Sequence, residues 1–138
     1  MTIFAESGPS WISEYDGTGA LLNANFAPAG GGSATGIAVS GGFVYVAYSA
    51  SNTIAQYTTS GVLVNASLVS GLHSPYGIAI AGNEIFVANS GNGTVGAYTT
   101  SGAVINASLV SGLGFAYGVA VSGTDLYVTD AVNNRIGA

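Results

Sequence analysis

Residues 75–113 read PYGIAIAGNEIFVANSGNGTVGAYTTSGAVINASLVSGL, and the same text runs through the residues before and after them. Gly-Ile-Ala stands at Gly36 and at Gly77, and Gly118 opens the variant Gly-Val-Ala, so successive copies are 41 residues apart. The string NASLVSGL occurs whole at 65–72 and at 106–113 with the same spacing. A repeat of this period means one supersecondary unit per copy, with neighbouring copies burying each other's apolar faces.

Four short strands fit into each copy. In the copy that opens at Gly36 they are expected at 37–40, 43–49, 53–59 and 62–70, here called strands A to D. Each is rich in Val, Ile, Tyr, Phe or Thr, and each is bounded by Gly, Ser or Asn. Gly41-Gly42, Ser60-Gly61 and the cluster around Asn52 supply the turns. No sustained 3.6-residue period appears, and glycine recurs too often for helices to persist. Strand B (FVYVAYS at 43–49) is apolar on consecutive residues, so both of its faces are covered. Strand A is built from small residues and suits a crowded place.

Four antiparallel strands at this period match a β-propeller blade. The fold expected is all-β, with about three blades in one domain spanning 1–138: a partial blade at 1–27, blades at 36–76 and 77–117, and a partial blade at 118–138. In the first partial blade strands B, C and D are expected at 3–7, 11–16 and 20–26, followed by a loop at 27–35 with Gly30-Gly31-Gly32. In the last, strands A, B and C are expected at 119–122, 126–129 and 135–138. Propellers typically close with 4–8 blades. Either copies of the chain therefore complete a ring together, with six blades from a dimer favoured, or the chain is an excerpt of a longer propeller.

Composition narrows the function classes. Only 5% of residues are charged against 49% hydrophobic, and the net charge is −5 with Arg135 as the single basic residue. One cation cannot neutralise a row of phosphates or an anionic lipid surface, so nucleic acid and membrane surfaces are excluded as partners. The longest apolar run, at 43–48, is too short to span a bilayer. There is no cysteine, hence no disulfide or thiolate metal site. The scarcity of basic residues beside abundant Ser, Thr, Asn and Gly points to a secreted or cell-surface protein, although no signal peptide stands at the start. The glycosylation sequons at Asn65, Asn92 and Asn106 are expected from turn preference in a chain so rich in Asn, Ser and Thr.

At 75–98 and at 117–136 the text resembles the NHL-type propeller repeat and related repeats of bacterial surface proteins. The features are Pro75-Tyr-Gly-Ile-Ala, then Ile85-Phe-Val-Ala-Asn, a turn, and a Val or Ile on strand C; the last copy is closest, with Leu126-Tyr-Val-Thr-Asp and Asn133-Asn-Arg-Ile. The Asp that the family places at the end of strand B is Asn89 in the middle copy and Tyr48 in the one before, and its Arg is Thr94 and Thr53. The resemblance implies a propeller whose members range from scaffolds and binding modules to a few lyases, and it does not choose among them.

Gly91-Asn-Gly93-Thr-Val-Gly96 fits GxGxxG, but a strand is expected after it where a phosphate site needs a helix N-terminus. His73 is the only histidine, which rules out a histidine metal cluster, and no serine sits in a GxSxG elbow. Glu84 and Asp125 occupy equivalent A–B hairpins and read as solvated; Asp130 and Arg135 flank a B–C turn and are expected to pair. No catalytic residue, metal site or cofactor is assigned. A ligand would sit where the D–A and B–C loops emerge together, among His73, Phe115, Tyr76, Tyr117, Asn52, Asn89, Asn92, Asp130 and Asn133. Aromatic rings beside amides suit a neutral sugar. The function expected is a non-catalytic scaffold or binding module that associates with itself, with protein or glycan as further partners. The alternatives are a neutral-carbohydrate lectin and, with few acid–base groups to serve it, a propeller lyase.

Overall fold

This computed structural model describes residues 2–5, 11–28 and 32–138. They form fourteen strands in four antiparallel sheets, with no helix among the described residues. Sheet 1 holds β1 (Thr2–Ala5), β2 (Trp11–Tyr15) and β3 (Leu21–Pro28). Sheet 2 holds β4 (Ala34–Ser40), β5 (Phe43–Tyr48), β6 (Thr53–Thr58) and β7 (Leu63–Val69). Sheet 3 repeats it with β8 (Pro75–Ala81), β9 (Glu84–Asn89), β10 (Thr94–Thr99) and β11 (Val104–Val110). Sheet 4 holds β12 (Ala116–Ser122), β13 (Asp125–Asp130) and β14 (Arg135–Gly137). Every sheet is a meander in chain order, as hairpin turns at each junction dictate.

The first strand of sheets 2, 3 and 4 begins three residues before the expected position. A register shift in each lets the chain bend and resume pairing, so that Ala34 meets Tyr48, Pro75 meets Asn89 and Ala116 meets Asp130. Tyr76 and Tyr117, expected in loops, therefore stand in β8 and β12. Of the loop expected at 27–35, Ala27 and Pro28 belong to β3 and Ala34 and Thr35 to β4. Gly30 and Gly31 lie outside the described residues, as do Glu6 and Ser7 of the strand expected at 3–7. Glu84 and Asp125, expected in hairpin turns, open β9 and β13 and are exposed.

The strands in the strand C position, β2, β6 and β10, end where a side chain takes over from the ladder. Asp16 Oδ1 accepts the N–H groups of Thr18 and Ala20 at 2.8 and 3.0 Å. Thr58 Oγ1 and Thr99 Oγ1 accept from Val62 N and Ala103 N at 3.1 and 2.9 Å in the same places of the next two copies. A side-chain acceptor two to four residues back closes a turn and stops a strand. That is why the strand expected at 11–16 stops at Tyr15.

The last strands of sheets 1 to 3 are sheet edges, and β7 and β11 are exposed almost throughout. Each is bulged where it pairs with its neighbour. At the bulge Asn23, Asn65 and Asn106 accept the N–H two residues on, each at 3.0 Å. A bulge twists an edge away from flat pairing, which is one way an uncharged edge avoids templating another chain.

The sheets pack face to face through three cores. Ile12, Phe26 and Ala27 of sheet 1 meet Val44, Val46, Ala55 and Tyr57 of sheet 2. Tyr45, Ile54 and Val69 of sheet 2 meet Ile78, Ile85, Val87 and Tyr98 of sheet 3. Ala88 and Val95 of sheet 3 meet Ala116 and Val128 of sheet 4. The middle strands of sheets 2 and 3 thus bury both faces, as their unbroken apolar runs require.

First strands lie side by side, with β8 against both β4 and β12. Glycine makes this approach possible. A Cβ on Gly36 would sit 2.1 Å from the Tyr76 carbonyl oxygen, and one on Gly77 would sit 2.4 Å from that of Tyr117.

A candidate ligand-binding rim

The strand-B position shared by Tyr48, Asn89 and Asp130 is buried in all three copies, at 0%, 1% and 2% exposure. Each copy fills it with different chemistry. Asp130 accepts the backbone N–H groups of Gly114 and Phe115, at 3.2 and 3.1 Å, from the loop that leads into β12. Its other oxygen accepts Asn133 Nδ2 at 2.6 Å, and Arg135 Nε stands 3.5 Å from that same Oδ2. The expected pairing of Asp130 with Arg135 is therefore present. The Asn133 side chain, followed by the loop N–H groups, holds the Asp130 carboxyl well below the usual carboxylate range against the opposing effect of burial.

Asn89 makes the neutral version of this tie. Its Oδ1 accepts His73 N at 3.3 Å, and its Nδ2 donates to Thr94 Oγ1 at 3.4 Å. At Tyr48 the tie becomes a hydroxyl pair, 2.8 Å from the Tyr57 oxygen. Asn52, at φ 57°, reaches the next loop and accepts Ser74 N at 2.7 Å. Asn92 accepts Thr94 Oγ1 at 2.7 Å.

The nine residues named for the rim thus separate into three kinds. Asn52, Asn89 and Asp130 spend their polar atoms on loop backbone, and the last two have almost no surface left for a ligand. Asn92, Asn133 and His73 are exposed, but the first two already bond within their own turns. The aromatic residues do come together. Tyr76 meets Tyr117 edge-on with ring centroids 4.6 Å apart, and Phe115 lies 4.8 Å from Tyr117. Tyr117 is 39% exposed.

Gly91 to Gly96 leads into β10, so no helix N-terminus faces a phosphate there. Among the described residues no group of three or more His, Asp or Glu side chains could hold a metal ion.

A second surface was not named from the sequence. On sheet 4 the face turned away from sheet 3 exposes Tyr127 (39%) and Ile136 (73%). A hollow of about 290 Å³ opens there, lined by Gly118, Ala120, Tyr127, Thr129 and Ile136. The repeat spacing carries the signal for it, because Ile54, Val95 and Ile136 share one position and the first two are fully buried.

No protein-family model and no curated protein sequence matches the chain. Its fold is similar to that of several solved structures, among them two computationally designed proteins. The computationally designed Ika4 protein superposes with a TM-score of 0.66 at 13% identity, over 98% of this chain and 82% of that one. The computationally designed Ika8 protein gives 0.55 at 16% identity, over 91% of this chain and 39% of that one. At such identities the likeness is one of fold alone.

Proposed function

We propose that the chain is an array of NHL-type β-propeller blades that serves as a non-catalytic scaffold or binding module and completes its ring by associating with further copies, two being favoured. The observation that carries this reading is the uncovered face of sheet 4. The position that is 0% exposed at Ile54 and at Val95 is 73% exposed at Ile136. A face designed for burial and left in water is an association site. The period of 41 residues, the four-stranded sheets and the close first strands support the propeller arrangement. One histidine, one arginine and six carboxylates, of which Glu84 and Asp125 are exposed and Asp16 and Asp130 are committed to turns, support a non-catalytic role. The composition supports a secreted or cell-surface location. A crystal or electron-microscopy structure of the purified assembly tests the reading: sheets set around one axis into a closed ring are expected, and an open stack without a common axis refutes it.

The aromatic trio favours a second reading, a lectin for neutral carbohydrate. Tyr117 offers a partly open ring, with the Tyr76 and Phe115 rings packed beside it. A glycan array and titration with the best neutral oligosaccharide test this. Binding lost in Tyr117→Ala at unchanged melting temperature is expected; no binding at high protein concentration rejects the lectin.

A further inference from the structure

The repeat joins one position on each strand C (β2, β6, β10) to one on the next. Ile12 of β2 shares a core with Tyr57 of β6, and Ile54 of β6 shares a core with Tyr98 of β10. The isoleucine sits on the face turned to the following sheet. The tyrosine, three residues later on the strand, sits on the face turned to the preceding one, as strand alternation requires. Two further residues occupy these positions. Tyr15 of β2 stands where Tyr57 and Tyr98 stand and is only half-buried, against 1% and 4% exposure for the other two. Ile136 of β14 stands where Ile12 and Ile54 stand, and those are fully buried. The face around Ile136 continues the same pattern. Its Tyr127 corresponds to Tyr45 (3% exposed), and Thr129 corresponds to Ala47 and Ala88 (both 0%). Each of these counterparts is covered by a sheet of the same repeat.

We infer that the occupant of the sheet 4 face is sheet 1 of a second copy, docked head to tail so that Ile136 of one chain enters a core with Tyr15 of the other. This rests on the reading that the chain associates with itself, and it fixes the surface and the orientation. The two faces differ, so the docking runs head to tail and a ring forms when the rotation between chains closes; two chains at a half-turn use the contact twice, Ile136 to Tyr15 and Tyr15 to Ile136, and bring together eight sheets where six blades were expected. The apolar match is the one the chain already uses twice, between β2 and β6 and between β6 and β10. No charged side chain stands at the Tyr15 or Ile136 positions in any copy, so the contact between those two positions is apolar.

The absence of cysteine makes a direct test clean. Two single variants, Tyr15→Cys and Ile136→Cys, are purified, mixed and treated with a short bifunctional thiol reagent, while sedimentation reports the mass of the untreated protein. The expected result is a covalent two-chain product in the mixture and none from either variant alone. Ile136→Asp, a change at an exposed site that leaves the circular dichroism spectrum intact, is expected to weaken association at least tenfold. An associated protein that yields no mixed product, or that links Ile136→Cys to itself, overturns the head-to-tail docking while leaving self-association standing. Unchanged association of Ile136→Asp overturns it equally. A wild-type monomer at every concentration overturns both.

Discussion

Adding one methyl group at Gly77 probes how closely the first strands converge. A Cβ there would lie 2.4 Å from the Tyr117 carbonyl oxygen, 2.9 Å from Val119 N and 3.0 Å from Gly118 Cα. All three are backbone atoms of β12, so no side chain can swing aside. The strand cannot retreat either, because β4 lies on its other flank, where a Cβ on Gly36 would be 2.1 Å from Tyr76 O. Overpacking a tight site costs about 1–3 kcal/mol, and backbone on both sides puts Gly77→Ala near 3. The stiffer unfolded chain offsets roughly 0.4–1 kcal/mol of that. The net loss is about 2 kcal/mol, or a fall of roughly 8 °C in Tm for a domain of this size. Gly118 is the control. It holds the same position in the next copy, yet its nearest contact is the Thr129 side-chain oxygen of its own sheet at 3.1 Å. In the Ile136→Asp background, which leaves the sheet 4 face uncovered, Gly118→Ala is expected to change stability by less than about 0.5 kcal/mol. Urea unfolding of both variants, followed by circular dichroism, is the assay. Equal losses in the two variants, each against its own parent, would refute the convergence of first strands.

Two further predictions concern the ties at the ends of the second strands. The Asp130 carboxyl is held below its unfolded value by Asn133 and the loop N–H groups, so its contribution is complete above the unfolded pKa of about 4 and is lost as pH falls through the folded value. Stability is expected to be flat above about pH 5 and to decline below about pH 4, and Asp130→Asn to make that decline shallower; an unchanged acid limb would contradict it. Asp16, also held low by Thr18 and the Ala20 N–H, accounts for part of the remaining slope. Tyr48→Phe removes the buried hydroxyl contact with Tyr57 and is expected to cost about 1 kcal/mol in urea unfolding, a loss that a fully compensating rearrangement would erase.

The sheet arrangement was legible because it is a matter of spacing. Gly36, Gly77 and Gly118 mark the period, and Gly41-Gly42 and Ser60-Gly61 mark hairpins that local chemistry decides. The three residues preceding the expected start of each first strand were not legible. Pro75-Tyr76-Gly77 reads as a loop by composition, and only the register shift opposite Asn89 returns it to the ladder. The rim was legible as a place but not as a site. Asn89 and Asp130 look like ligand groups in sequence, yet their partners are the backbone N–H groups of a loop sixteen residues earlier, a contact that spacing does not reveal. The exposed face was implicit in the period, since Ile136 matches two buried residues. Its exposure depends on what stands beside it in three dimensions, and so it emerged only with the sheets in place.

The central claim is that the sheet 4 face is completed by another copy. Sedimentation equilibrium of the purified chain across a wide concentration range measures this most directly. The account expects a mass that is a multiple of 13.5 kDa, with two chains favoured, falling toward one chain in Ile136→Asp. A wild-type protein that stays at 13.5 kDa at every concentration and unfolds in one cooperative transition would contradict it.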